Sequence, residues 1–211
     1  MTLHDGQPVI HGGTPLANAK AAILLVHGRG ARAEDIFSFG EAVAGDVPGI
    51  FLIAPQAAGN AWYPERFIAP LVANEPALSS ALGVIGRIVA ELVQGGLKHE
   101  KIVLMGFSQG ACLSLEYAAR NPARYGGVVA LSGGLIGPPG GPRELKGSLS
   151  GTPVYLGCSD VDAHIPLSSV VESADIMGRL GGSVTKEIFP GMGHTVNERE
   201  LDYIEKLIRG L

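Results

Sequence analysis

The sequence predicts an α/β fold with a mostly parallel central sheet and helices on both of its faces. Three features point there. Short apolar runs such as Ala21 to Val26 and Ile102 to Met105 alternate with longer segments of helical periodicity along the whole chain. The runs are apolar at every position, so each strand needs cover on both faces, which the crossover helices of a parallel sheet provide. No internal repeat and no linker breaks the alternation, so residues 1–211 read as a single domain with a substantial core.

The elements follow in order. Gln7 to Gly13 fits an antiparallel edge strand ahead of the alternation. Ala21 to Val26 is the first buried run, Ala33 to Ala44 a helix, and Gly49 to Ala54 the next strand. Pro76 to Val93 is a long helix opened by Asn74-Glu75-Pro76, with proline where a helix start tolerates it. Ile102 to Met105 is a strand, and the helix Gly110 to Arg120 is stopped by Asn121-Pro122. Gly127 to Leu131, Pro153 to Leu156 and Val184 to Phe189 are further strands, and Pro166 to Leu180 is a helix closed by Gly181-Gly182. The last helix is placed from Thr195, because Thr195-Val196-Asn197-Glu198 has capping-box form and Leu201, Ile204, Leu207 and Ile208 then share a face. Gly133 to Gly151, rich in glycine and proline, reads as a loop at the C-terminal edge of the sheet, where such sheets bind ligands.

Composition narrows the function. A hydrophobic share of 46% with 17% charged residues excludes a disordered chain. A net charge of −4 carries no footprint for nucleic acid or anionic lipid. No run approaches the ~18 consecutive apolar residues of a membrane span, and the first residues lack a secretory pattern. Cys112 and Cys158 read as two buried free thiols in a reducing, cytoplasmic setting. No C-x-x-C or H-E-x-x-H spacing occurs, so neither a metal nor another cofactor is expected.

The chemistry concentrates at Gly106-Phe107-Ser108-Gln109-Gly110. With a strand before it and a helix after it, this is the setting of a G-x-S-x-G nucleophile elbow, whose glycines make room for a strained serine. A serine nucleophile needs a base and the base an orienting carboxylate, in the chain order Ser, acid, His at successive strand ends. His194, in the glycine-rich turn Gly191-Met192-Gly193-His194 after the last strand, fits the base. His4, His11 and His99 lie in polar surroundings and read as solvated surface residues; His27 reads as a bracket of its own loop, and His164 is ambiguous. Asp160 and Asp162 both follow the strand from Pro153; Asp162 is favoured because it opens the turn into the next helix, leaving Asp160 to brace the loop. The oxyanion would meet the backbone N–H of Gln109 and that of Arg29 in His27-Gly28-Arg29-Gly30. Gly28-Arg29-Gly30-Ala31-Arg32-Ala33 also matches a dinucleotide fingerprint, but the next strand ends in Ala54-Pro55-Gln56 without the carboxylate that site needs.

Together with Leu131-Ser132-Gly133-Gly134 and Asp162-Ala163-His164-Ile165-Pro166, these motifs resemble the phospholipase/carboxylesterase family of compact α/β-hydrolases, which includes acyl-protein thioesterases. The resemblance runs from about Ala21 to the C-terminus. It implies a carboxylesterase acting on short- to medium-chain esters, or on thioesters or lysophospholipids, with no large lid. Two departures stand out: relatives usually carry His-Gly-x-x-Asp-Pro at the acid, where this chain has Leu156 and Ala163, and often leucine where it has Arg29, which suggests a more polar pocket mouth. For the acyl pocket, Trp62, Tyr63, Phe67 and Leu71 are the candidate walls, with the Gly133 to Gly151 loop a further determinant. The expected partner is a small-molecule ester, with no nucleic acid and no membrane span, on a monomer or homodimer. A non-catalytic binding protein on the same fold is the alternative from another class.

Overall fold

The computed structural model describes residues 2–211. Seven strands form one sheet: β1 (Val9–Gly13), β2 (Ala21–Val26), β3 (Ile50–Pro55), β4 (Ile102–Phe107), β5 (Gly127–Leu131), β6 (Pro153–Ser159) and β7 (Ser183–Phe189). Their order is β1-β3-β2-β4-β5-β6-β7, and every adjacent pair is parallel except β1 with β3. Helices α1 (Ala33–Ala44) and α5 (Glu198–Arg209) cover one face; α2 (Ala77–Gln94), α3 (Gln109–Arg120) and α4 (Leu167–Arg179) cover the other. Strand alternation sorts the core between them. Ala21, Ile23 and Leu25 of β2 pack with α1 and α5, whereas Ala22, Leu24 and Val26 pack with α2 to α4. This is the α/β-hydrolase arrangement, and among the described residues no inserted lid domain covers the strand ends.

The strand order reverses between β2 and β4. From β2 the chain turns through α1 to β3 on one side, then returns past β2 to place β4 on the other. The loops leaving β2 and β4 therefore part to opposite faces and open a crevice at their C-terminal ends. Helix α2, on the return path, has the length and mean hydropathy (1.4) of a membrane span. Its Leu78, Ala81, Ile85, Ile88 and Leu92 are buried in the core instead.

Most boundaries fall within two residues of the sequence reading, and two shift by three. Helix α5 begins at Glu198 rather than near Thr195, because the capping box is Asn197 with Glu200: the Asn197 side chain accepts from the amides of Arg199 and Glu200, and Glu200 accepts from the Asn197 amide. Strand β6 continues past Leu156 to Ser159, since Gly157, Cys158 and Ser159 pair with Glu187, Ile188 and Phe189. Glycine at 157 is a packing requirement: a Cβ there would lie 2.1 Å from Glu200 Oε1.

Glu200 is itself fully buried, and its Oε1 has no hydrogen-bond partner among the described residues. Burial, reinforced by Glu187, pushes its carboxyl up to about 7 against the opposing Asn197 amide bond. The folded state therefore holds a proton that the unfolded chain releases, and stability falls as pH rises from the ordinary glutamate range to about 7. Glu200→Gln keeps an acceptor for the Asn197 amide and removes the ionisation. Thermal melts should show the variant stabilised relative to wild type by on the order of 1–3 kcal/mol at pH 8 and by much less at pH 5.

Candidate active site

Ser108 stands at the tip of the turn between β4 and α3 with φ 55° and ψ −118°, a backbone region that L residues rarely occupy. The surroundings hold it there. Its N–H donates to Leu131 O at 2.9 Å, and the flanking glycines let three backbones meet: a Cβ on Gly106 would lie 2.3 Å from the Gly110 carbonyl carbon, and one on Gly110 would lie 1.9 Å from Val26 O. The small residues of the motif thus serve contact between β2, β4 and α3. The hydroxyl is left above the N-terminus of α3, where the helix dipole favours negative charge.

The ends of β6 and β7 bring up two more side chains. His194 Nε2 lies 2.9 Å from Ser108 Oγ, and His194 Nδ1 lies 2.7 Å from Asp162 Oδ2. The Asp162 side chain is shielded from solvent, and its other oxygen accepts the amides of His164 and Ile165 at 2.8 and 3.0 Å. Burial works against its charge, but the bond to His194 and the two amides outweigh that and hold the carboxyl below its usual range. A carboxylate only accepts, so Nδ1 carries the imidazole proton and Nε2 presents its lone pair to Ser108.

Neighbouring polar groups fix the loops that carry this chain. Asp160 Oδ1 accepts the Gly191 amide at 2.8 Å, and Ser159 Oγ accepts those of Val161 and Gly193 at 3.2 and 3.0 Å. The acid loop after β6 is thereby tied to the histidine loop after β7. The His164 and Phe107 rings both pack against His194, each with centroids 4.8 Å apart.

Two residues that line the cleft with Ser108 have backbone amides without a hydrogen-bond partner among the described residues. Gln109 is the first residue of α3, so its N–H has no acceptor within the helix. The Arg29 N–H has none among the described residues. Below them His27 is a buried bracket: Nε2 accepts the Ala57 amide, so Nδ1 bears the proton and donates to Gly28 O at 2.7 Å. Burial lowers its pKa, which keeps the ring neutral in that role.

Several sequence expectations need correction. Trp62 does not line a pocket; it is fully buried and its indole N–H donates to His27 O at 2.9 Å. Leu71 is 40% exposed and lies with Pro70, Glu116 and Arg143, away from Ser108. Tyr63 and Phe67 do line the cleft around Ser108, which has a volume of about 410 Å³, together with Cys112, Ile165 and His164. The Gly133–Gly151 loop contributes nothing to that lining and acts from behind: a Cβ on Gly134 would lie 3.2 Å from the Phe67 ring. The loop is pinned by Glu116, whose carboxylate accepts the Ile136 amide and pairs with Arg120 and Arg143. His4 is no surface residue; it is buried between Trp62 O and the Ala58 amide.

Arg29 is exposed and lines the cleft, with Glu65 and Arg66 beside it. Its guanidinium folds onto the carbonyls of Tyr63, Pro64 and Glu65, with bonds of 2.7–2.8 Å. Gln109 works from the other side, accepting from Trp62 N at 2.8 Å and donating to Tyr63 O at 2.9 Å. The two residues expected to offer amides to an oxyanion thus also clamp the cleft wall with their side chains. No local sequence signal marks this, because the partners are backbone atoms about 35 to 47 positions away.

Fold and site together define an α/β-hydrolase with a Ser–His–Asp hydrogen-bonded chain at its strand ends. The sequence model of the Phospholipase/Carboxylesterase family matches residues 9–211, and the chain belongs to that family. A phospholipase/carboxylesterase structure from Dyadobacter fermentans is similar at 40% identity and TM-score 0.92, covering 99% of this chain and 98% of that one. The structure of esterase PE8 is similar at 25% identity and TM-score 0.77, covering 97% of each chain. Among curated proteins, acyl-protein thioesterase 1 of Gibberella zeae is 31% identical over 124 residues, 58% of this chain and 53% of the relative. Matches of this kind span about half the length of the curated relatives.

Proposed function

We propose that this protein is a serine carboxylesterase that hydrolyses short- to medium-chain carboxylic esters through an acyl-enzyme. The unbroken chain from Ser108 Oγ through His194 to Asp162, at 2.9 and 2.7 Å, is the observation that carries the reading. Ser108 Oγ attacks the ester carbonyl while His194 Nε2 takes its proton, and Asp162 stabilises the imidazolium at Nδ1. The carbonyl oxygen, now an anion, meets the Arg29 and Gln109 amides. On collapse the ester C–O bond breaks, the alcohol leaves with the proton from Nε2, and the acyl group stays on Ser108. Water then attacks the acyl-enzyme by the same steps, with its proton passing through His194. The cycle uses only protein groups and water.

Tyr63, Phe67, Cys112 and Ile165 give the cleft an apolar floor suited to a short or medium acyl chain. Labelling with a fluorophosphonate probe and mapping the modified peptide tests the reading directly. Modification of Ser108 is expected; an unlabelled, folded protein would favour a non-catalytic role. The names of the curated relatives favour a second reading, thioester hydrolysis. Comparing kcat/KM for oxygen esters and thioesters of the same acyl group separates the two.

A further inference from the structure

A second cavity opens from the same centre. It measures about 390 Å³ and lies between the start of α1 and the His194 loop, with Ile36, Phe39, Phe107 and Val196 among its walls. It shares Gly28, Ala31, Phe107 and His194 with the Ser108 cleft, so the two adjoin there as arms of one groove. The arms differ in what they contain. The first holds Ser108, Gln109 and Arg29; the second holds His194 and the residues after it but neither the serine nor those two oxyanion residues. One carboxylate, Asp35, also reaches the second arm, but its Oδ2 is engaged by the Arg32 amide at 2.8 Å.

Resting on the esterase reading, we propose that the second arm binds the alcohol portion of the substrate and selects esters of apolar, ring-sized alcohols. The tetrahedral centre bonded to Ser108 Oγ has three other substituents. The oxyanion points to the Arg29 and Gln109 amides, and the leaving oxygen must approach His194 Nε2, which protonates it. The group attached to that oxygen is thereby directed past His194, where Val196, Ile36 and Phe39 continue the wall. The acyl chain takes the remaining direction, over Tyr63, Phe67 and Cys112. The partly buried Phe39 and Val196 thus face a space that the leaving group fills and then vacates once the acyl-enzyme has formed.

Methyl and benzyl butyrate share an acyl group and yield the same butyryl-enzyme, so their kcat/KM ratio reports the leaving group alone. Methyl acetate and methyl hexanoate report the acyl arm. Wild type is expected to favour benzyl over methyl butyrate. Phe39→Asp should lower that ratio by about tenfold, the scale of one lost apolar pocket contact, without shifting the hexanoate-to-acetate ratio. Phe39→Ala, a milder truncation, should lower it in the same direction if the aspartate variant does not fold. An unchanged benzyl-to-methyl ratio in the folded variants, or a shift in the acyl ratio instead, overturns the assignment of the arm. A wild-type protein that hydrolyses none of the four esters overturns the esterase reading itself, and the arm's role with it.

Discussion

Ser108→Ala is expected to lower kcat for p-nitrophenyl acetate by about 10⁴-fold or more, with the melting temperature almost unmoved. The size follows from how the chain of hydrogen bonds works. Without the hydroxyl, neither His194 nor Asp162 has a nucleophile to activate, and what remains is the proposed oxyanion donation by the Arg29 and Gln109 amides to water attack. Alanine keeps the Cβ that already tolerates φ 55° at this turn, so the backbone strain is unchanged. Ser108→Gly separates the two effects. It should be just as inactive yet more stable by about 1 kcal/mol, because glycine occupies positive φ without strain. A Ser108→Ala protein that retained wild-type turnover would end the acyl-enzyme reading, since no other hydroxyl is hydrogen-bonded to His194 among the described residues.

The strands and most of the helices were legible because burial on both faces leaves a continuous apolar run, and β2 and β4 are such runs. The start of α5 was misread for a physical reason. Thr195 and Glu198 have the right spacing for a capping box, but Asn197 and Glu200 have it too, and only the second places Glu200 beneath the bare Gly157. The strand-end positions of Ser108, Asp162 and His194 could be read from spacing and turn chemistry. The cleft walls could not. Trp62 and Tyr63 are adjacent and both aromatic, yet one is locked to His27 O and the other faces the cleft. That choice is made by Gln109 and Arg29 holding the backbone of residues 62–65, contacts that no local pattern encodes. His164 and Ile165 reach the cleft for a similar reason, because Asp162 Oδ1 gathers both their amides into a tight turn.

That same turn makes the two aspartates after β6 unequal, and Asp162→Asn is expected to reduce kcat by about 10⁴-fold where Asp160→Asn costs less than about tenfold. At Asp162 one oxygen is committed to the His164 and Ile165 amides, so an asparagine there must turn its carbonyl to them and its NH₂ to His194. The NH₂ donates, so His194 must accept at Nδ1, and the ring proton moves to Nε2. Nε2 then has no lone pair for the Ser108 hydroxyl, and the nucleophile loses its base. The opposite amide orientation would keep the tautomer but set the NH₂ against the two N–H donors of His164 and Ile165, so it offers no escape. Less is asked of Asp160. An asparagine carbonyl there can still accept the Gly191 amide, and the His194 loop stays tied at Gly193 through Ser159. Steady-state kinetics on both variants with one ester distinguish the roles. A severe loss at Asp160 with a mild one at Asp162 would transfer the orienting role to Asp160 and imply that the loop after β6 rearranges when substrate binds.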